Sequence, residues 1–88
     1  MNETEALMRE RLATLEPQMV RIDDESALHA GHAGARSGGG HYHLTIVSHR
    51  FAGLDALARH RLVYAALGGL MGSRIHALSI RALAPDET

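Results

Sequence analysis

The hydrophobic period of this chain changes between Leu57 and Ile80. Ala56, Val63, Leu67 and Leu70 recur at helical spacing, with His60 on the same stripe, which predicts a helix over 55–68. Gly68, Gly69 and Gly72 weaken and then end it, because glycine has low helix propensity and suits a left-handed cap. From Ile75 the period is two, which predicts a strand over Ile75–Arg81. His76, Leu78 and Ile80 then point towards the core, and Ala77, Ser79 and Arg81 point away. One imidazole therefore stands at the mouth of an otherwise apolar strand face, just beyond a helix end.

The rest of the chain reads in the same way. Residues 3–16 carry Met8, Leu12 and Leu15 on one stripe, with Asn2 as a cap, Glu5 completing a capping-box pattern and Pro17 as a stop. Such a helix is marginal alone and must dock on something. Gln18–Asp23 is a short strand with Val20 and Ile22 on one face. Residues 24–40, rich in Gly, Ala and Ser, form a long loop that holds His29 and His32. His41–Ser48 returns to strand, with Tyr42, Leu44 and Ile46 inward and His41, His43 and Thr45 outward. Ser48–Gly53 is a turn or a short helix leading into the main helix near Leu54, and the polar tail over 84–88 is expected to fray.

The order helix, strand, strand, helix, strand predicts an α+β fold: a two-layer sandwich with a three-stranded sheet and the helices on one face. The first two strands pair across the long loop, and the third returns through a parallel crossover. Leu12, Leu15, Ile22, Leu44, Ile46, Val63, Leu67, Leu78 and Ile80 are the expected core.

Eighty-eight residues suit a single domain, 1–88, with one small core. The chain has no cysteine, so it holds no disulfide and any thiolate ligand must come from elsewhere. No apolar run approaches the roughly 20 residues needed to span a bilayer. The N-terminal stretch MNETEALMRE is charged and lacks a signal-peptide core, so a cytoplasmic location is the expectation. Residues 1–47 carry four arginines against seven acids, and residues 48–88 carry five arginines against three, a modest basic excess that could face phosphate. All nine basic residues are Arg, for which genomic base composition is the plainer source.

Seven histidines, five of them between His29 and His49, are the least ordinary feature. Imidazole ligates metals and titrates near neutrality, but His29-x-x-His32 lacks the partners of a closed zinc site. His76 has two readings: a side chain bonded to an orphan carbonyl at the helix end, or a ligand. Arg59-His60-Arg61 also has two: His60 packed inward between solvated arginines, or arginines that contact phosphate or a partner. Gly69-Leu70-Met71-Gly72 has the spacing of the KH backbone clamp, but it follows a helix and precedes a strand, so it reads as a helix stop. No nucleophilic Cys, no Ser motif in a strand-turn-helix elbow and no phosphate-binding glycine loop opening a helix is present, and no enzymatic activity is expected.

Arg59-His60-Arg61 with Val63-Tyr64, then Ile75-His76-Ala77-Leu78, resembles the signature of the BolA family. Asp24-Glu25-Ser26 followed by His29, then His41-Tyr42, and Val47-Ser48 leading to Phe51 and Gly53, keep the family's order and spacing, so the resemblance runs from Leu7 to Pro85. It implies a fold similar to the class II KH arrangement. It also implies a monothiol glutaredoxin partner and a bridging 2Fe–2S cluster, shared with that partner and glutathione. His76 is then the fixed ligand, and His29, or its neighbour His32, the ligand from the loop. Imidazole ligation leaves the cluster less negative and its binding pH-sensitive. The alternative is a DNA-binding regulator acting through the Arg59–Arg61 helix region, with Arg50 as a further basic contact. Two departures stand out: Gly38-Gly39-Gly40 replaces a polar run and is expected to loosen the loop, and acidic residues common near Gly69 are missing. The resulting expectation is a monomeric, non-enzymatic partner in iron–sulfur cluster trafficking or iron sensing, away from membranes.

Overall fold

The computed structural model describes residues 2–26 and 40–88. Its main elements are α1 (Glu3–Leu12), β1 (Met19–Asp24), β2 (Gly40–Val47), α2 (Ala56–Leu67) and β3 (Ile75–Leu83). The sheet order is β1-β2-β3, with β1 antiparallel and β3 parallel to β2. This is the expected helix-strand-strand-helix-strand sandwich.

Local chemistry explains the boundaries. Asn2 Oδ1 accepts from Glu5 N at 2.8 Å and starts α1, which tightens into a 3₁₀ turn over Ala13–Leu15. Asp55 Oδ1 accepts from Ala58 N at 2.9 Å and starts α2. Gly68, at φ +54°, ends α2, and Gly72, at φ +86°, turns the chain into β3, so the glycine cluster acts as a helix stop.

Both helices cover the same side of the sheet. Met8, Leu12 and Leu15 meet Val63, Leu67 and Leu70 over Tyr42, Leu44 and Ile46 of the central strand, with Phe51 and Ile75 closing the ends. Ile22, Leu78 and Ile80, expected in the core, are only half-buried and flank it. They lie on the two outer strands, while the helices centre on β2.

Three local features hold the layers in place. Ser48 is fully buried: its hydroxyl donates to Leu15 O and accepts from Arg50 N at 3.0 Å, and its N–H donates to Leu83 O at 2.9 Å. It therefore joins the end of the α1 layer to β2 and β3. Arg9 donates to Val20 O at 3.1 Å, tying α1 to β1. Arg59 ties α2 to β3 by donating to Ala82 O at 3.0 Å.

The tail does not fray as expected. Pro85–Glu87 form a 3₁₀ turn, and Glu87 holds it down through Ala84 N at 2.8 Å and the Arg59 guanidinium. Of the long loop, the two ends are described; its interior, with His29 and His32, lies outside the described residues.

Candidate functional site

The end of the sheet where β1 stops and β2 begins is closely tied together. Asp24 Oδ1 accepts from Ser26 N at 2.9 Å, and Ser26 Oγ accepts from His41 N at 3.0 Å. Glu25 N donates to His41 O at 2.8 Å. Asn2 Nδ2 donates to Asp24 Oδ2 at 3.1 Å and Tyr42 Oη at 3.4 Å, linking the α1 cap to the same corner. His41 is thus fixed through its backbone, with its side chain on the helix-free face.

Gly40 contributes by having no side chain. A Cβ there would lie 2.9 Å from Tyr42 Cζ and Oη and closer still to Cε2. The last glycine of the triplet is therefore a packing requirement of β2, and the expected loosening does not apply at this position.

β3 enters opposite this corner with an irregularity. Gly40 aligns with Ile75, but His41 aligns with Ala77, so His76 is an extra residue in a bulge. Ile75 is fully buried and takes the core position expected of His76. His76 is exposed instead, while Leu78 and Ile80 regain the inner face. This corrects the expectation that its ring lies on the core side of the strand. The signal was present in the sequence: Ile75 and Leu78 are both apolar but three residues apart, a spacing that an unbroken strand puts on opposite faces.

The bulge brings His76 beside His41. Their ring centres are 5.1 Å apart, with ring planes tilted by 40°. Glu25, His41, Tyr42, Ala77, Leu78 and Ser79 line an adjoining open cleft of about 240 Å³. His43 follows His41 on the outer face, His60 is half-buried on α2, and His49 lies towards Glu16, 3.9 Å away. Among the described residues no group of three or more His, Cys, Asp or Glu is placed to hold a metal ion by itself. The site offers a pair of imidazoles, and His41 is the member that the sequence reading did not assign.

The arginines proposed for nucleic acid separate into different roles. Arg59 is not solvated: its side chain is 13% exposed. It donates to Leu54 O at 2.9 Å, to Ala82 O and to both carboxylate oxygens of Glu87. The paired carboxylate raises the Arg59 pKa, and the guanidinium with Ala84 N–H lowers that of Glu87 to about 2. Arg59 is thus a clasp for the C-terminal turn, which corrects its assignment to a phosphate contact. Arg50 Nε lies 3.3 Å from Glu16 Oε1 at the surface. Arg61 is exposed. No helix among the described residues is long and apolar enough to cross a membrane.

Comparison with known proteins agrees with this architecture. The sequence pattern of the BolA family, described as BolA-like protein, matches residues 12–87. Human BolA-like protein 1 is 42% identical over 84 residues, covering 94% of this chain and 59% of that protein. The DNA-binding transcriptional regulator BolA of Vibrio cholerae is 39% identical over 72 residues, covering 82% of this chain and 65% of that protein. The chain thus spans less than two thirds of the length of these two relatives. Among solved structures, the BolA domain of SufE1 from Arabidopsis thaliana superposes with a TM-score of 0.86 at 38% identity, covering 100% of this chain and 99% of that one. On its sequence and its fold alike, this chain belongs to the BolA family.

Proposed function

We propose that this protein partners a monothiol glutaredoxin and supplies imidazole ligands to a 2Fe–2S cluster bridging the two, in cluster trafficking or iron sensing. The observation that supports this most is the bulge, which turns His76 out of the core and onto the exposed end of the sheet. The segment carrying His29 and His32 joins the described chain at Ser26 and Gly40, beside the same corner. An exposed imidazole on a rigid strand fits such a group, and with no cysteine in the chain the thiolates must come from the partner and glutathione.

In this reading His76 is the ligand held by the fold and His29, or His32, the ligand brought by the connecting segment. Bound, the cluster supplies one-electron redox chemistry or a transferable iron–sulfur unit. The chain's own part is to present neutral imidazoles, and protonation removes them as ligands. No catalytic role is assigned, and a cytoplasmic location remains part of the proposal.

Reconstitution with a monothiol glutaredoxin, glutathione, iron and sulfide tests the reading. A mixed cluster should form with a visible absorption and circular dichroism spectrum distinct from that of glutaredoxin alone. His76→Ala should abolish that spectrum, as should the His29→Ala/His32→Ala double substitution. An unchanged spectrum and lifetime with His76→Ala would show the ligand assignment to be wrong.

A second reading, a DNA-binding regulator, is supported by the name of the Vibrio cholerae relative and by the exposed Arg61 on α2. With Arg59 held by Glu87 and Arg50 beside Glu16, it has fewer open cations than the sequence promised.

A further inference from the structure

The helix layer carries an unpartnered stripe with both apolar and charged character. Among the described residues the exposed large hydrophobic side chains are Met19, Leu57 and Tyr64, and two of these stand on one face of α2. Leu57 is 58% exposed and Tyr64 41%, and the exposed Arg61 lies between them. The spacing i, i+4, i+7 puts all three on one stripe, the pattern with which a helix docks on another surface. We propose that this stripe binds α1 of a second copy of the chain, giving a two-fold symmetric dimer through the helix layers.

α1 supplies the matching surface. Ala6, Glu10 and Ala13 are all exposed and have the same i, i+4, i+7 spacing. α1 begins beside the end of α2, where Arg74 Nη2 donates to Glu3 Oε1 at 3.2 Å, so the two helices run antiparallel. A two-fold axis along the groove between them lays α1 of each copy over α2 of the other and keeps that direction. Leu57 then covers Ala13, Arg61 meets Glu10, and Tyr64 covers Ala6. Large side chains fall on small ones and a cation on an anion. In such an isologous contact each pair occurs twice.

Charge selects this occupant. α2 contains no acidic residue, whereas α1 carries Glu3, Glu5 and Glu10. Within one copy Arg59 is already neutralised by Glu87, and Glu3 is engaged by Arg74. Arg61 and Glu10 are in no ion pair among the described residues. They are the charges left for a contact between copies. Burial of Leu57 and Tyr64 supplies the attraction, and the charge pair fixes the register. It also disfavours α2 against α2, which would set Arg61 against Arg61. Two short stripes bury less than a standard interface, so the dimer is weak and concentration-dependent. It departs from the monomer expected of the sequence.

Sedimentation equilibrium of the full chain from about 10 μM to about 1 mM tests this, reading the monomer–dimer constant. The mean mass should rise towards twice that of one chain. Arg61→Glu and Glu10→Arg should each weaken the dimer by about tenfold or more, because each sets like charges together twice. The Arg61→Glu/Glu10→Arg double variant should return to within about threefold of the parent, since the pair is restored with its signs exchanged. Arg81→Glu, an exposed cation on β3, should stay within about twofold and so controls for net charge. All these side chains are exposed, so the variants keep the fold.

Three results would overturn the dimer: a chain still monomeric at about 1 mM, a double variant no better than the single ones, or an Arg81→Glu loss equal to that of Arg61→Glu. A monomer whose Leu57, Arg61 and Tyr64 signals shift with duplex DNA would give the face to nucleic acid instead. The assay contains no glutaredoxin, iron or sulfide, so its failure and the failure of cluster assembly are distinct.

Discussion

His41 and His76 sit with their rings 5.1 Å apart because one residue too many is fitted into β3 opposite Gly40 and His41. An unbroken strand would have put His76 in the core and Ile75 in water. The bulge exchanges them, and that exchange turns a packing position into an accessible one.

Since His76 is exposed, its imidazole contributes little to the fold. His76→Ala should leave stability within about 0.5 kcal/mol of the parent, measured by urea denaturation with an unchanged slope. A much larger loss would mean that the ring supports the bulge itself.

Gly40→Ala should be costly for so small a change. The added methyl would meet the Tyr42 ring, which is itself packed in the core. Overpacking of this kind typically costs about 1–3 kcal/mol. The Tyr42 ring signals in NMR should move along with the lowered denaturation midpoint, whereas Gly69→Ala, which meets nothing within 4 Å, should leave them in place.

Ser48→Ala removes a fully buried hydroxyl that serves Leu15 O and Arg50 N. Orphaning these groups should cost about 1–3 kcal/mol, because no partner replaces the hydroxyl. Hydrogen exchange should show faster opening where the end of the α1 layer meets β2, since that contact loses its bond.

The Arg59–Glu87 clasp makes a pH prediction. Glu87 titrates at about 2 in the folded chain against an ordinary 4.5. A lowered carboxyl pKa stabilises the fold above the ordinary value, and the benefit disappears as pH falls from about 4.5 through about 2. Glu87→Gln should therefore lower Tm at pH 7, and its difference from the parent should shrink steadily below pH 4.5. A difference that stays constant down to pH 2 would show that the carboxylate charge is not what secures the turn.

For nucleic acid, Arg61 and Arg59 should behave differently. If the chain binds duplex DNA, affinity should fall with salt, and Arg61→Ala should reduce the salt slope by about one, as expected for loss of one phosphate contact. Arg59→Ala should instead lower Tm, because it releases Glu87, Leu54 O and Ala82 O together. A full loss of binding by Arg59→Ala at unchanged Tm would return that residue to the DNA surface.

The sequence by itself determined the element order, the sheet with its helices on one side, and most of the core. Stripes such as Met8–Leu12–Leu15 and Val63–Leu67–Leu70, and the alternation at Tyr42–Leu44–Ile46, are local patterns, and burial follows directly from them. It also marked His76 as a residue of interest, through the Ile75-His76-Ala77-Leu78 signature. The Ile75–Leu78 spacing hints at a bulge, but only the tertiary structure decided where that imidazole points, because the bulge is a matter of the register of β3 against Gly40 and His41. Only the fold could pair His41 with His76, or engage Arg59 with Glu87, since residues far apart in sequence meet only once the sheet and the C-terminal turn have formed. Periodicity records which face a residue prefers; the partner across that face is fixed by register, and register is a property of the assembled sheet.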